Sequence, residues 1–85
     1  MKNRNIVLDR TRTFAVVLDP EEDGGFTVRV PALPEIVTYG ETEQEALTMA
    51  EDAIRLVLED RAIRGEPIPA GSPPRIREVK VTIAA

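Results

Sequence analysis

The stretch Thr42–Gly65, TEQEALTMAEDAIRLVLEDRAIRG, is the only long periodic segment in the chain, and everything else must pack around it. Its start is written as a T-x-x-E capping box: Thr42 accepts from the N–H of Glu45, and Glu45 reaches back to the N–H of Thr42. Glu43 and Glu45 also suit the positive end of the helix dipole. Its stop is Gly65, which takes the left-handed cap conformation, followed by Pro67, which cannot continue a helix. Between them Ala46, Leu47, Ala50, Ala53, Ile54, Val57 and Leu58 recur at three- and four-residue spacing, one face of a helix. Glu51–Arg55 and Asp60–Arg64 stand at i,i+4 with the acid first, the better orientation. Near the start the stripe is mostly alanine, so another backbone can approach closely there.

With 85 residues the chain makes one domain. Domains of this size bury limited apolar surface and often associate. Phe14, Phe26 and Tyr39 are the only aromatics, so the core is mainly aliphatic. Cysteine and histidine are both absent. That removes disulfides, a thiol nucleophile, the usual zinc sites and the usual general base near neutral pH. A carboxylate-only magnesium site remains open. No apolar run approaches a membrane span, and MKNRNIVLDR lacks the apolar centre of a signal peptide, so a cytoplasmic location is expected.

The chain carries a net charge of −4, unevenly spread. Residues 1–12 read as a flexible basic arm, with Lys2, Arg4, Arg10 and Arg12 against Asp9 and a short turn or strand over 5–9. Such an arm touches nucleic acid or is simply a frayed terminus. Residues 13–85 form the single domain. Its body is acidic, which argues against tight binding to a phosphate backbone and suits a basic protein partner. An ordinary solubilising surface is the alternative.

TFAVVLD at 13–19 reads as a first strand. Phe14, Val16 and Leu18 lie on one face, Ala15 and Val17 on the other, the pattern of a central or two-sided strand. Pro20–Gly25 (PEEDGG) is a turn with a strong hairpin signal at Asp23-Gly24. FTVRV at 26–30 alternates as an antiparallel second strand, with Phe26, Val28 and Val30 inward and Thr27 and Arg29 outward. Pro31 and Pro34 stop or bulge the pairing. IVTY at 36–39 is a short third strand. After the helix, Pro67, Pro69, Pro73 and Pro74 make an ordered crossover or a stiff extended linker. IREVKVTI at 76–83 alternates again as a fourth strand, which pairs in its own sheet or reaches a second subunit. The expected fold is therefore α+β, in the order β-β-β-α-β: an antiparallel sheet with one long amphipathic helix packed on one face.

Catalytic constellations are scarce. Ser72 is the only serine and lies among prolines, and Gly24-Gly25 is a turn dipeptide rather than a phosphate-binding loop. Asp19, Glu21, Glu22 and Asp23 are the one acidic cluster. Carboxylates at a strand end can hold a divalent ion for phosphoryl chemistry, but a polar hairpin tip commonly carries acids for solubility. No catalytic, metal-binding or cofactor-binding residue is therefore assigned. Tyr39 either anchors a partner or covers the core edge with its hydroxyl in water. Arg29 either pairs with a partner or makes a cross-strand ion pair. The candidate partner-binding residues are thus Asp19, Glu21, Glu22, Asp23, Arg29 and Tyr39. The candidate oligomer contacts are Val79, Val81 and Ile83 on the fourth strand and Ala46 and Ala50 on the helix.

Several linked features resemble the HicB family of antitoxins and antitoxin-like proteins, over roughly residues 13–83. They are Asp23-Gly24-Gly25-Phe26 at the acidic hairpin and Val28-Arg29-Val30-Pro31-Ala32-Leu33-Pro34 after it. Tyr39-Gly40-Glu41-Thr42 is close to the family's G-D-T before its helix. Glu45-Ala46-Leu47, Ala50-Glu51-Asp52-Ala53-Ile54 and Gly65-Glu66-Pro67-Ile68-Pro69 complete the set. The resemblance implies a truncated ribonuclease-H-like core and a non-enzymatic protein. Such a protein binds and masks a small basic HicA toxin, an mRNA-cleaving ribonuclease, and forms dimers or tetramers. Two departures stand out. Glu35-Ile36 replaces the family's usual Gly-Cys, and the chain ends at Ala85 just after the fourth strand, so autorepression and direct DNA binding are not expected. Two other readings stand beside the antitoxin: an RNA-binding or RNA-metabolism protein, and an orphan oligomeric scaffold without a toxin.

Overall fold

The computed structural model describes residues 11–69 and 74–84. Three short strands precede one helix: β1 (Val17–Pro20), β2 (Phe26–Arg29), β3 (Val37–Gly40) and α1 (Glu43–Ile63). The sheet is antiparallel with spatial order β1-β2-β3, so β2 is central and both β1 and β3 are edges. Leu18, Val28 and Thr38 lie side by side, as do Asp19, Thr27 and Tyr39. Successive residues face opposite sides of a sheet. One face therefore carries Leu18, Val28, Phe26 and Gly40 under the helix, and the other carries Val17, Asp19, Thr27, Arg29, Val37 and Tyr39. The α+β architecture is the one the sequence implies.

The core lies in two parts. Val28 packs against Ala46 and Ala50 of α1, with Val16, Leu18 and Phe26 around them. Val30, Leu33 and Ile36 form the second cluster, covered by Phe14, Ala53, Ile54, Val57 and Leu58. The second cluster is built by two consecutive turns. The N–H of Leu33 donates to the carbonyl of Val30 at 2.9 Å, and that of Ile36 donates to Leu33 at 3.0 Å. Pro31 and Pro34 each take the second position of their turn, where a fixed φ is pre-set. The loop thereby drops an apolar side chain inward every third residue.

Helix α1 begins and ends as its sequence prescribes, with one shift. The Thr42 hydroxyl accepts from the N–H of Glu45 at 3.0 Å. The Glu45 carboxylate accepts from the N–H of Glu41 at 2.6 Å, one residue before the expected Thr42. At the other end Glu66 donates to Arg61 at 2.8 Å and Gly65 to Ala62 at 3.2 Å. With Gly65 at φ +70°, this is a Schellman close. The expected pairs Glu51–Arg55 (2.9 Å) and Asp60–Arg64 (2.7 Å) both form.

Where β3 meets the helix the approach is very close. A Cβ on Gly40 would stand 2.2 Å from the backbone nitrogen of Ala46 and 2.4 Å from its Cα. The alanine-rich start of the helix is what admits this contact. Ala46 and Ala50, the expected oligomer contacts on the helix, are buried against the chain's own sheet in the single chain, at 0% and 1% exposure.

Three further expectations change. Residues 13–16 precede β1 without joining its ladder. Continuing the register would set Ala15 opposite Pro31, which has no N–H to donate. β1 is an edge strand although its residues alternate as a two-sided one. Third, residues 76–83, expected as a fourth strand, join no sheet in the single chain. Ile76, Val79, Val81 and Ile83 are 71–84% exposed there. The basic arm over 1–10, with its expected turn or strand at 5–9, lies outside the described residues, as do Ser72 and Pro73.

Candidate functional site

The sheet face turned away from the helix gathers three of the six candidate partner-binding residues. Asp19 stands near the end of β1, Arg29 ends β2 and Tyr39 stands near the end of β3, and each occupies an outward register position. The Arg29 Nε donates to Asp19 Oδ2 at 2.8 Å, a half-exposed cross-strand ion pair. That hydrogen bond, helped by the guanidinium charge, holds the Asp19 carboxyl below its ordinary range and raises Arg29. Of the two readings of Arg29, the cross-strand pair is the one that forms. Thr27 Oγ1 donates to Glu21 Oε2 at 2.6 Å, tying the hairpin to β2.

Tyr39 lies over the hairpin. Its hydroxyl donates to the carbonyl of Gly24 at 3.3 Å. A Cβ on Gly25 would fall 2.0 Å from that hydroxyl, so glycine is needed there both for space and for its φ of +82°. The phenol is pushed up, first by partial burial and then by the negative charges of Asp23, Glu41, Glu21 and Glu45. The hairpin and the mouth of the helix thus converge their carboxylates on one aromatic ring, which remains 44% exposed. An aromatic platform ringed by acids suits a basic or guanidinium group on a partner. Glu22 is exposed on the same hairpin.

Asp19 faces Arg29 and Glu21 faces Thr27, and among the described residues no group of three carboxylates is placed to hold a metal ion. No helix of the described residues is long and apolar enough to cross a membrane.

The structure brings out two features that the sequence reading does not. Arg61, on the helix, donates to Glu35 in the loop before β3 at 2.8 Å. Glu35 is held below its ordinary range, first by its own backbone N–H and then by Arg61. The Glu35-Ile36 pair therefore has a local role: Glu35 clasps the helix while Ile36 enters the core. The second feature is a groove of about 400 Å³ between the lead into β1 and the helix. Phe14, Val16, Leu47, Ala50, Ile54 and Leu58 line it, with Arg12, Glu51, Arg55 and Glu59 beside them. Its signal in the sequence is the apolar alternation of 14–18, which exceeds what an edge strand needs.

The sequence profile of the HicB-like antitoxins of bacterial toxin–antitoxin systems matches residues 13–85. The chain belongs to the HicB-like antitoxin family. Among its HicB-like relatives, antitoxin HicB 1 of Photorhabdus laumondii is 42% identical over 60 residues, 71% of this chain and 39% of that protein. Antitoxin HicB of Escherichia coli K12 is 33% identical over 76 residues, 85% of this chain and 55% of that one. A UPF0150 protein of Thermoplasma acidophilum is 41% identical over 56 residues, covering 66% of this chain and 81% of its own length. The chain thus spans between two fifths and about half of the two HicB antitoxins. No solved structure matches it. Three of the HicB-like features read from the sequence mark tight places in the fold: the Gly25–Tyr39 contact, the Gly40–Ala46 approach and the Schellman close.

Proposed function

We propose that this HicB-like chain acts as the antitoxin of a toxin–antitoxin pair, binding and neutralising a small basic HicA-type mRNA-cleaving toxin. Family membership carries the reading. The acidic surround of Tyr39 supports it, since it offers a complementary surface to a cationic partner. In this role the chain is a cytoplasmic, non-enzymatic homo-oligomer of two or four subunits. Its βββα unit is a truncated ribonuclease-H-like core kept for its surface. The carboxylates that a nuclease would need for metal are engaged with Arg29 and Thr27, which disfavours the RNA-cleaving alternative.

Co-expression with a small basic reading frame adjacent to the gene tests the proposal. Growth arrest caused by that frame, relieved by this chain, is the expected result. Arrest that persists with the chain present at equal level refutes it, and a Tyr39→Ala variant that rescues fully refutes the placement of the interface.

A further inference from the structure

β1 leaves one edge of the sheet unpaired, and residues 76–83 alternate like a strand yet join no sheet. β1 is the free edge on the side where the helix leaves a groove, and Phe14, Val16, Leu47, Ile54 and Leu58 line that groove. Residues 14–18 are apolar on both faces, the pattern of a strand covered on both sides. Residues 76–83 alternate with Arg77, Val79, Val81 and Ile83 on one face, and all three aliphatic side chains stand exposed. An exposed apolar strand is a template for pairing with another chain.

We propose that the tail strand 76–83 of one copy of this chain adds to the β1 edge of a second copy and lays Val79, Val81 and Ile83 along that copy's groove. This inference rests on the homo-oligomer part of the proposed function and specifies how the subunits join. Two observations favour a second copy over the tail's own domain. The segment between helix and tail holds Pro67, Pro69, Pro73 and Pro74, and proline-rich linkers are semi-rigid extended spacers rather than tight returns. In the single chain, described residues 74–84 join no ladder although β1 is free in the same molecule. Reciprocal exchange of two tails is an isologous, closed arrangement. It removes β1 as an edge in both copies, and its energy comes from backbone pairing with alternate side chains seated in a groove.

The absence of native cysteine makes a direct test clean. Val17→Cys full-length chain is mixed with chain bearing Glu78→Cys, Lys80→Cys or Thr82→Cys, unfolded and refolded together, and oxidised. A disulfide joining the two different chains at one or more tail positions is the expected result, read by mass spectrometry. A chain carrying both cysteines that closes on itself in preference to a partner overturns the exchange. So does an oligomer of normal mass that forms no such bond at any of the three positions, which leaves the oligomer itself standing. A monomer overturns both. Independently, Val79→Lys/Val81→Lys should lower the light-scattering mass to that of one 9.4 kDa chain with the helical signal kept, since both side chains are exposed in the single chain. Unchanged mass overturns the proposal.

Discussion

Gly40→Ala should be among the most damaging single-methyl additions this fold can suffer. Gly40 ends β3 and is buried beneath the first turn of α1. The added Cβ would meet Ala46 N at 2.2 Å, Ala46 Cα at 2.4 Å and the Glu45 carbonyl carbon at 2.8 Å. All three are backbone atoms, so no side-chain rotation relieves them, and the helix start must move by roughly 1 Å from the sheet. That motion strains the Thr42–Glu45 cap and loosens Val28 from Ala46 and Ala50. Overpacking in a tight core costs about 1–3 kcal/mol, and this backbone clash belongs at the upper end or above, roughly 3 kcal/mol. Stability of about 0.05–0.15 kcal/mol per residue gives a domain of this length on the order of 4–13 kcal/mol. The substitution therefore removes a large share of it. Urea denaturation at one fixed protein concentration, followed by helical circular dichroism, reads the change from the midpoint and slope. Gly24→Ala is the control: the position has open space but a φ of +93°, so its cost is about 1–2 kcal/mol of backbone strain alone. A Gly40→Ala protein within about 0.5 kcal/mol of the parent, the usual effect of a surface change, would refute the close-packing argument.

Other outcomes follow from the same structure. Leu33→Ala, at a fully buried side chain held by the proline turns, should cost about 2–5 kcal/mol in the same denaturation assay. Thr42→Ala removes the helix cap and should cost about 0.5–2 kcal/mol, with Thr42→Ser nearly neutral. Asp19 and Glu35 have folded pKa values below their unfolded ones, so the stability they contribute is present above the unfolded values and is lost as pH falls through the folded ones. Arg29→Ala should return Asp19 towards its ordinary titration range, measured by NMR of its carboxyl carbon, and should flatten that part of the acid limb. An Asp19 titration unchanged by the substitution would contradict the cross-strand pair.

The helix was the most legible part of the chain because its caps and its periodicity agree. Ala46 shows where legibility stopped. Its small size announced a close backbone contact, but only the fold reveals that the contact is with Gly40 of the same chain. Leu33 was missed as a core residue because prolines on either side read as punctuation, while in space they form two turns that bury it. Strand lengths were overestimated at 13–16 because apolar alternation does not register the proline opposite. Asp19 stands out in the sequence by its acidic cluster, Arg29 by the alternation of its strand and Tyr39 as the lone tyrosine; the strand register places all three on one side of the sheet. The convergence of Glu41 and Glu45 on Tyr39 was not legible, since it depends on how the helix start sits beside the hairpin.

The proposed capture of a small basic toxin by the acidic face around Tyr39 can be measured directly. Calorimetric titration of the purified chain with the product of the adjacent small basic reading frame, at low and at physiological salt, tests it most directly. A saturable complex that weakens as salt rises, and weakens further with Tyr39→Ala, is the expected result. A folded chain that gives no complex at micromolar concentrations, or one whose affinity ignores both salt and Tyr39, would contradict it.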